Sequence, residues 1–295
     1  MPEFLSQCPL CKDERSTLFD KRVFRGYEVE NRLCSNCGLV YQSPRMTEDE
    51  LKVFYQAEYR QIYQGSEGPE QKDILVQKAR AHAIVNLLQE SGVDKVEHFA
   101  DIGSSTGILL EEIRDVYQCQ VVGIEPGDAY RQYAKSRNLK VFDSLEAADA
   151  AGEGEFDLIS LIHVLEHVPY PVGYLRELRD KYLSQDGKIL IEVPNLYAHD
   201  CFEVAHLTSF SRHSLVEVVK MAGFVTEYLE PHGRPRSSMI PLYISLLARP
   251  VGVEGGQPEI EIERWIGIKR NAGLAHRRVI ERLLPRQAWL PEYRM

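Results

Sequence analysis

Apolar positions change period along this chain in a way that marks out its elements. Residues 71–89 place Ile74, Ala81, Ile84, Val85 and Leu88 on one face at helical spacing, and Ser91-Gly92 supplies a stop. Short apolar runs then alternate with helical stretches. They end near Ile102, Glu125 and Asp143, continue over residues 156–162 and 187–195, and close with residues 224–229 and 240–248. The run at 156–162 is apolar on both faces, as a central parallel strand is. This alternation predicts an α/β fold with a doubly wound, mostly parallel seven-stranded sheet. Upstream, Thr47-Glu-Asp-Glu50 opens a helix that leads into Phe54, Tyr55, Tyr59 and Tyr63. Residues 252–258 read as a linker, and Ile268, Ala272, Ala275, Val279 and Leu283 line one side of a final helix that ends before Pro285.

The first predicted strand runs into Asp101-Ile-Gly103-Ser-Ser105-Thr-Gly107, and the second ends in Glu125 eighteen residues after Gly107. Small residues at such a bend allow positive φ and close backbone approach to a ligand. A carboxylate at the end of the second strand can accept hydrogen bonds from both hydroxyls of a ribose. The order Asp-x-Gly-x-Ser-x-Gly differs from the Gly-x-Gly-x-x-Gly of dinucleotide sites, and an acid at the head of the turn repels pyrophosphate but receives an ammonium group. A βαβ turn without a ligand is the alternative. The segment resembles the class I S-adenosylmethionine-dependent methyltransferases, with Ser105 where their middle glycine stands.

The resemblance implies S-adenosylmethionine as cofactor, held by Asp101, Gly103, Ser105, Gly107, Glu125 and the following Pro126. It puts adenine near Asp143 and Ser144, though either residue could instead cap the next helix. The His163-Val-Leu-Glu166-His167 segment would border the methionine part, with His163 at the strand lip and Glu166 and His167 equally able to start a helix. It further implies an antiparallel final hairpin. Tyr59 or Tyr63 would close over the cofactor, while the same tyrosine stripe is explained equally by packing.

Cys8-x-x-Cys11 and Cys34-x-x-Cys37-Gly38, 22 residues apart, have the spacing of a four-thiolate zinc ribbon. A closed four-cysteine site leaves no position for water, so this Zn2+ would be structural. Disulfides are the alternative. Cys119 and Cys201 have no neighbouring cysteine and no assigned role.

His206, in the stretch Phe202-Glu203-Val-Ala-His206-Leu-Thr208-Ser-Phe210-Ser211, is the candidate general base, with Glu203 as its partner. The alternative is that His206 only hydrogen-bonds over the site. This stretch is also similar in layout to sugar C-methyltransferases with a zinc-binding N-terminus, but of their Tyr-His-Glu-His tetrad only the last His is matched, by His206. The leading expectation is O-methylation of a small polar acceptor, such as a sugar or nucleotide-linked sugar. C- or N-methylation in the same fold, RNA methylation, and a non-catalytic nucleoside-binding protein are the alternatives.

A net charge of −9 argues against binding nucleic acid through its phosphates. From Glu263 onward eight Arg or Lys face three Glu, which reads either as a basic helix docked on an acidic body or as a surface where Arg277, Arg278 or Arg282 meets a phosphorylated substrate. No run is long and apolar enough to span a bilayer and no export signal opens the sequence, so the expectation is a cytoplasmic enzyme without a membrane partner; a homo-oligomer stays open. The predicted organisation is a zinc ribbon over 1–45, a helical lid and connecting helix over 46–92, the cofactor-binding domain over 93–250, and a linker with a basic helix over 251–295.

Overall fold

The computed structural model describes residues 2–57, 68–199, 202–251 and 258–290. The strands are β1 (Ser16–Phe24), β2 (Tyr27–Cys34), β3 (Val40–Gln42), β4 (His98–Ile102), β5 (Gln120–Ile124), β6 (Val141–Phe142), β7 (Phe156–Ile162), β8 (Leu183–Pro194), β9 (Thr208–Ser209), β10 (Phe224–His232) and β11 (Tyr243–Pro250). Seven of them form one sheet in the order β10-β11-β8-β7-β4-β5-β6. The β4/β5, β4/β7 and β5/β6 pairs are parallel and the β10/β11 hairpin is antiparallel, as expected. The chain divides into two compact units, one of residues 49–162 and 178–190, the other of residues 1–48, 163–177 and 191–295.

In the first unit, helices α1 (Glu48–Ala57), α2 (Gln71–Glu90), α3 (Ile108–Tyr117), α4 (Asp128–Ser136) and α5 (Leu145–Ala150) accompany β4 to β7. A reciprocal capping box between Glu70 and Asp73 starts α2, and Gly92 at φ 78° follows its end. Ala81, Ile84, Val85, Leu87 and Leu88 of α2 are buried. Apolar residues on both faces of β7 make it the centre of the core, with Phe156, Ile159 and Leu161 fully covered. Phe54 on α1 is buried and packs edge-on against Tyr55, so that part of the aromatic stripe serves packing.

The second unit holds a four-stranded sheet in the order β1-β2-β3-β9, helices α6 (Pro171–Glu177), α7 (Arg212–Met221) and α8 (Ile266–Leu283), and the β10/β11 hairpin. Arg25 and Gly26, both at positive φ, turn β1 into β2. Strand β9 pairs antiparallel with β3 through Tyr41↔Thr208 and Val40↔Ser209, and the amide of Gln42 donates to the carbonyl of Leu207 at 2.8 Å. The small cysteine-rich sheet thus carries the segment that follows His206.

Helix α8 leaves its predicted apolar stripe largely uncovered: Ile268, Val279 and Leu283 are 64%, 53% and 69% exposed, while Ile266, Arg270 and Ile280 are buried. The buried face follows the carbonyl-rich segment 196–199. Arg270 donates to the carbonyls of Leu196 and His199, Arg277 donates to that of Ala198 at 3.1 Å, and Gly273 lies against the Tyr197 carbonyl where a Cβ has no room. Leaving such carbonyls buried without donors costs about 1–3 kcal/mol each, which outweighs the gain from covering a few exposed aliphatic side chains.

Candidate active site

The turn after β4 is bent by Gly103, Ser105 and Gly107, at φ 76°, 49° and 77°. The amides of Gly103 and Ser104 donate to the carbonyl of Ile124 at 2.8 and 3.0 Å, which ties the turn to the end of β5. Glu125 follows β5 and is buried; its Oε2 accepts from the amide of Ser105 and its Oε1 from that of Gly127, both at 2.9 Å. Two glycines here are required by packing. A Cβ on Gly107 would strike Leu139, and one on Gly123 would come within 2.6 Å of Ser104 Oγ. Gln77 on α2 also braces the bend, accepting from Thr106 Oγ1 and donating to Ser105 Oγ at 3.2 Å.

Asp101, at the mouth of β4, is buried and accepts from Ser160 Oγ at 2.6 Å. Burial pushes its carboxyl up to about 7, against the Ser160 hydrogen bond and with help from the charge of Glu125. Pro126 and Asp143 are exposed beyond the turn, and Ser144 caps α5 by accepting from the amide of Ala147. Tyr59, Tyr63 and Cys201 lie outside the described residues.

In the second unit, a cluster of imidazoles and carboxylates gathers around Glu166. His163 adopts φ 56°, a backbone region that His enters more readily than most residues. Its Nδ1 stands 3.4 Å from Glu166 Oε1 and its Nε2 3.2 Å from Glu192 Oε1. His167 Nε2 is 3.9 Å from Glu166 Oε1, and His206 Nε2 is 3.7 Å from Glu203 Oε2. The rings of His167 and His206 meet edge to face at 5.0 Å. Behind them Glu192 Oε2 accepts from Ser245 Oγ at 3.0 Å and lies 3.3 Å from His232 Nε2.

Burial alone would raise the Glu166 carboxyl, but the facing His163, His167 and His206 bring it down to about 2. Burial lowers His167 to about 4 and His199 to about 3, so both rings are neutral near pH 7. A small cleft opens on the cluster, lined by Glu166, His206, His199, Asn195, Phe202 and Arg270 among others. Residues 165–167 form a single 3-10 turn and α6 begins only at Pro171, so Glu166 and His167 do not head that helix; Glu166 lines the cleft. Of the tail arginines expected to meet substrate, Arg277 pairs with Glu281 and the Ala198 carbonyl, and Arg278 donates to its own helix at Leu274.

The four ribbon cysteines also converge. Cys8 and Cys37 sulfurs are 3.6 Å apart, those of Cys11 and Cys34 3.4 Å, and all four lie within 4.8 Å of one another. These are unbonded thiols, and three of them are buried. Lys12 and Gly38, each directly after the second cysteine of its pair, share positive φ of 62° and 82°. Each knuckle folds back through an amide-to-carbonyl bond, Lys12 to Cys8 and Gly38 to Cys34. Thiols this close cannot all ionise without a cation: hydrogen bonding with Cys11 drives Cys8 and Cys37 upward, while Cys11, first through Cys34, is driven down.

The sequence model of the methyltransferase-domain family matches residues 76–229. The chain belongs to that family. The methyltransferase is similar in fold to the Burkholderia thailandensis 1,6-didemethyltoxoflavin-N1-methyltransferase, solved with its substrate and S-adenosylhomocysteine, at 14% identity and TM-score 0.56 over 79% of this chain and 100% of that one. It also matches a chain of the complex between the Haloferax volcanii Trm112 methyltransferase activator and a methyltransferase, at 14% identity and TM-score 0.49 over 69% and 98% of the two chains. An S-adenosylmethionine-dependent methyltransferase from Aquifex aeolicus matches at 15% identity and TM-score 0.44 over 59% and 98%. No curated protein sequence aligns significantly with the methyltransferase. As a member of that family the chain is a methyltransferase. No helix among its described residues is long and apolar enough to cross a membrane.

Sequence reasoning on the methyltransferase missed Gln77, Glu192, His199, His232 and Arg270. Glu192 left a signal, a lone carboxylate inside the apolar run of β8 that a buried central strand tolerates only with partners. The others left none, because they meet the site through tertiary contacts between segments distant in sequence.

Proposed function

We propose that the methyltransferase holds S-adenosylmethionine on the turn between β4 and α3 and methylates a hydroxyl of a small polar acceptor, a sugar or nucleotide-linked sugar, beside Glu166 and His206. The observation that carries the acceptor reading is the buried carboxylate–imidazole cluster, of which Glu166 and His206 line a small cleft together with His199 and Asn195. His163 follows β7 directly in the chain, and ligands of open α/β sheets collect at the carboxyl ends of strands.

Gly103, Ser105 and Gly107 shape the turn, Glu125 takes the ribose hydroxyls and Asp101 the ammonium group, with Pro126, Asp143 and Ser144 as further candidates; Tyr59, Tyr63 and His163 are assigned to the cofactor from the sequence resemblance alone. The backbone amides of Ser105 and Gly127 fix the Glu125 carboxylate at the end of β5. When bound, S-adenosylmethionine supplies a methyl group already activated on a sulfonium. The chain's own part is to orient the acceptor and remove its proton, a task for the Glu203–His206 pair. Cys8, Cys11, Cys34 and Cys37 fit a structural Zn2+: their spacing approximates the sulfur separations of a tetrahedral site with bonds of about 2.3 Å.

Incubation with labelled S-adenosylmethionine and a panel of hydroxylated acceptors, read by mass spectrometry, tests the reading. An O-methyl product supports it, and a product methylated only on nitrogen or carbon overturns the O-methyl assignment. Glu125→Ala is expected to weaken S-adenosylhomocysteine binding by about tenfold or more, the scale of a charged hydrogen bond at roughly 1.5–3 kcal/mol. Unchanged calorimetric affinity would remove Glu125 from the cofactor site.

Asp101 makes that binding pH-dependent. Only its ionised form pairs with an ammonium group, and with the carboxyl at about 7 the ionised fraction falls as pH drops below neutrality. Affinity for S-adenosylhomocysteine should therefore be about tenfold weaker at pH 6 than at pH 8. Asp101→Asn should flatten this profile; a wild-type affinity constant across that range would separate Asp101 from the ammonium group.

A further inference from the structure

We propose that Glu166, His167 and His206 form a binding site for one divalent transition-metal cation. The inference rests on the cleft being the acceptor site and adds what sits in it. Potential ligand atoms of the three side chains all lie within 4.8 Å of one another. A cation about 2.1 Å from each would bring them to within about 4.2 Å, so closure needs side-chain movement of roughly half an ångström.

Three observations point inward to a positive charge. Glu166 has a side chain only 2% exposed, and neither of its oxygens receives a hydrogen bond. A buried carboxylate in that condition is costly unless a cation meets it. His167 is set in the tautomer a metal needs: its Nδ1 lies 2.9 Å from the carbonyl of Ala205, which can only accept, so the hydrogen sits on Nδ1 and the Nε2 lone pair faces Glu166. Anchoring the far nitrogen of a ligand histidine on a backbone carbonyl is the usual outer-sphere arrangement of metal sites. Finally, the loop bearing His206 is fixed to the turn bearing Glu166, because the amide of Leu207 donates to the Glu166 carbonyl at 2.8 Å.

Two imidazoles and one carboxylate, with the cleft on one side, form the open donor set of a catalytic divalent ion; closed structural sites have four protein ligands. With a cation bound, His206 is a ligand and no longer the base: the acceptor hydroxyl becomes a further ligand, and its proton passes to Glu203, 3.7 Å from His206, in place of the imidazole. His163, 3.4 Å from Glu166 Oε1, is the competing explanation, as an imidazolium that neutralises the carboxylate without metal.

Mn2+ separates these, since it favours oxygen and nitrogen donors over the thiolates of the ribbon. The full chain is treated with chelator, given one equivalent of Zn2+, and titrated with Mn2+ while free ion is followed by electron paramagnetic resonance. One Mn2+ bound per chain is expected, with binding weakened at least tenfold in Glu166→Gln and in His206→Gln. S-adenosylhomocysteine binding in the same samples reports that each variant is folded. Wild-type chain that binds S-adenosylhomocysteine but no stoichiometric Mn2+ overturns the proposal, as does Mn2+ binding that survives both substitutions. Failure to find an O-methylated acceptor would leave the Mn2+ count unaffected, so the two proposals fail separately.

Discussion

Replacing Cys37 with serine is expected to empty the four-thiol site and lower methyl transfer on the order of a hundredfold, while S-adenosylhomocysteine affinity changes by less than about threefold. Cys37 is buried beside Cys8, and a segment this small covers too little apolar surface to stay folded without its metal. Binding of zinc to such sites is worth about 10–16 kcal/mol, so its loss should unravel the β1-β2-β3 sheet. The consequence for catalysis follows from the pairing of β3 with β9 and from the Gln42 amide on the Leu207 carbonyl, which hold the chain immediately after His206. Asp101, the turn residues 103–107 and Glu125, which are assigned to the cofactor, belong to the other compact unit, which is why binding and turnover should separate. Metal analysis, hydrogen exchange at residues 207–209 and kinetics on the same preparation check this. A Cys37→Ser chain that retains one zinc, or one that loses zinc yet keeps native turnover, would show that the ribbon does not support the acceptor side.

With only the ribbon metal bound, His206→Gln is expected to lower kcat by about 10²–10⁴-fold, the usual contribution of a general base, and to leave S-adenosylhomocysteine binding intact. Glutamine preserves the size and a polar end but cannot take up the proton that leaves the acceptor. Its environment makes the loss specific: His206 is 11% exposed, faces Glu203 at 3.7 Å and stacks edge-on against His167. Glu203→Gln should have a smaller effect, about tenfold, because the carboxylate acts through the imidazole. Single-turnover rates across pH 5–9 measure both. A His206→Gln rate within about threefold of wild type would exclude His206 from the chemistry and leave it a covering residue over the cleft.

Much of this was readable before any fold was known, wherever the physics is local. The period of apolar residues fixed β4 to β8 and α2 because a central parallel strand must be apolar on both faces and a helix on one. Asp101, the small-residue bend and Glu125 could be assembled from spacing because one βαβ unit brings them together. The cysteines converge for a related reason: two tight knuckles, each turned by a residue at positive φ, need only a hairpin between them.

Tertiary structure decided the rest. Helix α8 shows why: its sequence offers an apolar stripe, but the carbonyls of residues 196–199 need donors more than a few aliphatic side chains need cover, so Arg270 and Arg277 turn inward. Glu166 changed from an option for capping a helix into a buried carboxylate among histidines, because its chain neighbours His163 and His167 turn toward it and His206 reaches it from a distant segment. Glu192, His232 and Ser245 join behind them across strands whose pairing no single stretch records. The sequence by itself determined the sheet, the cofactor turn and the thiol pairs, since each depends on neighbours along the chain. Only the fold decided the acceptor cleft, because burying a charge is settled by partners that arrive from elsewhere.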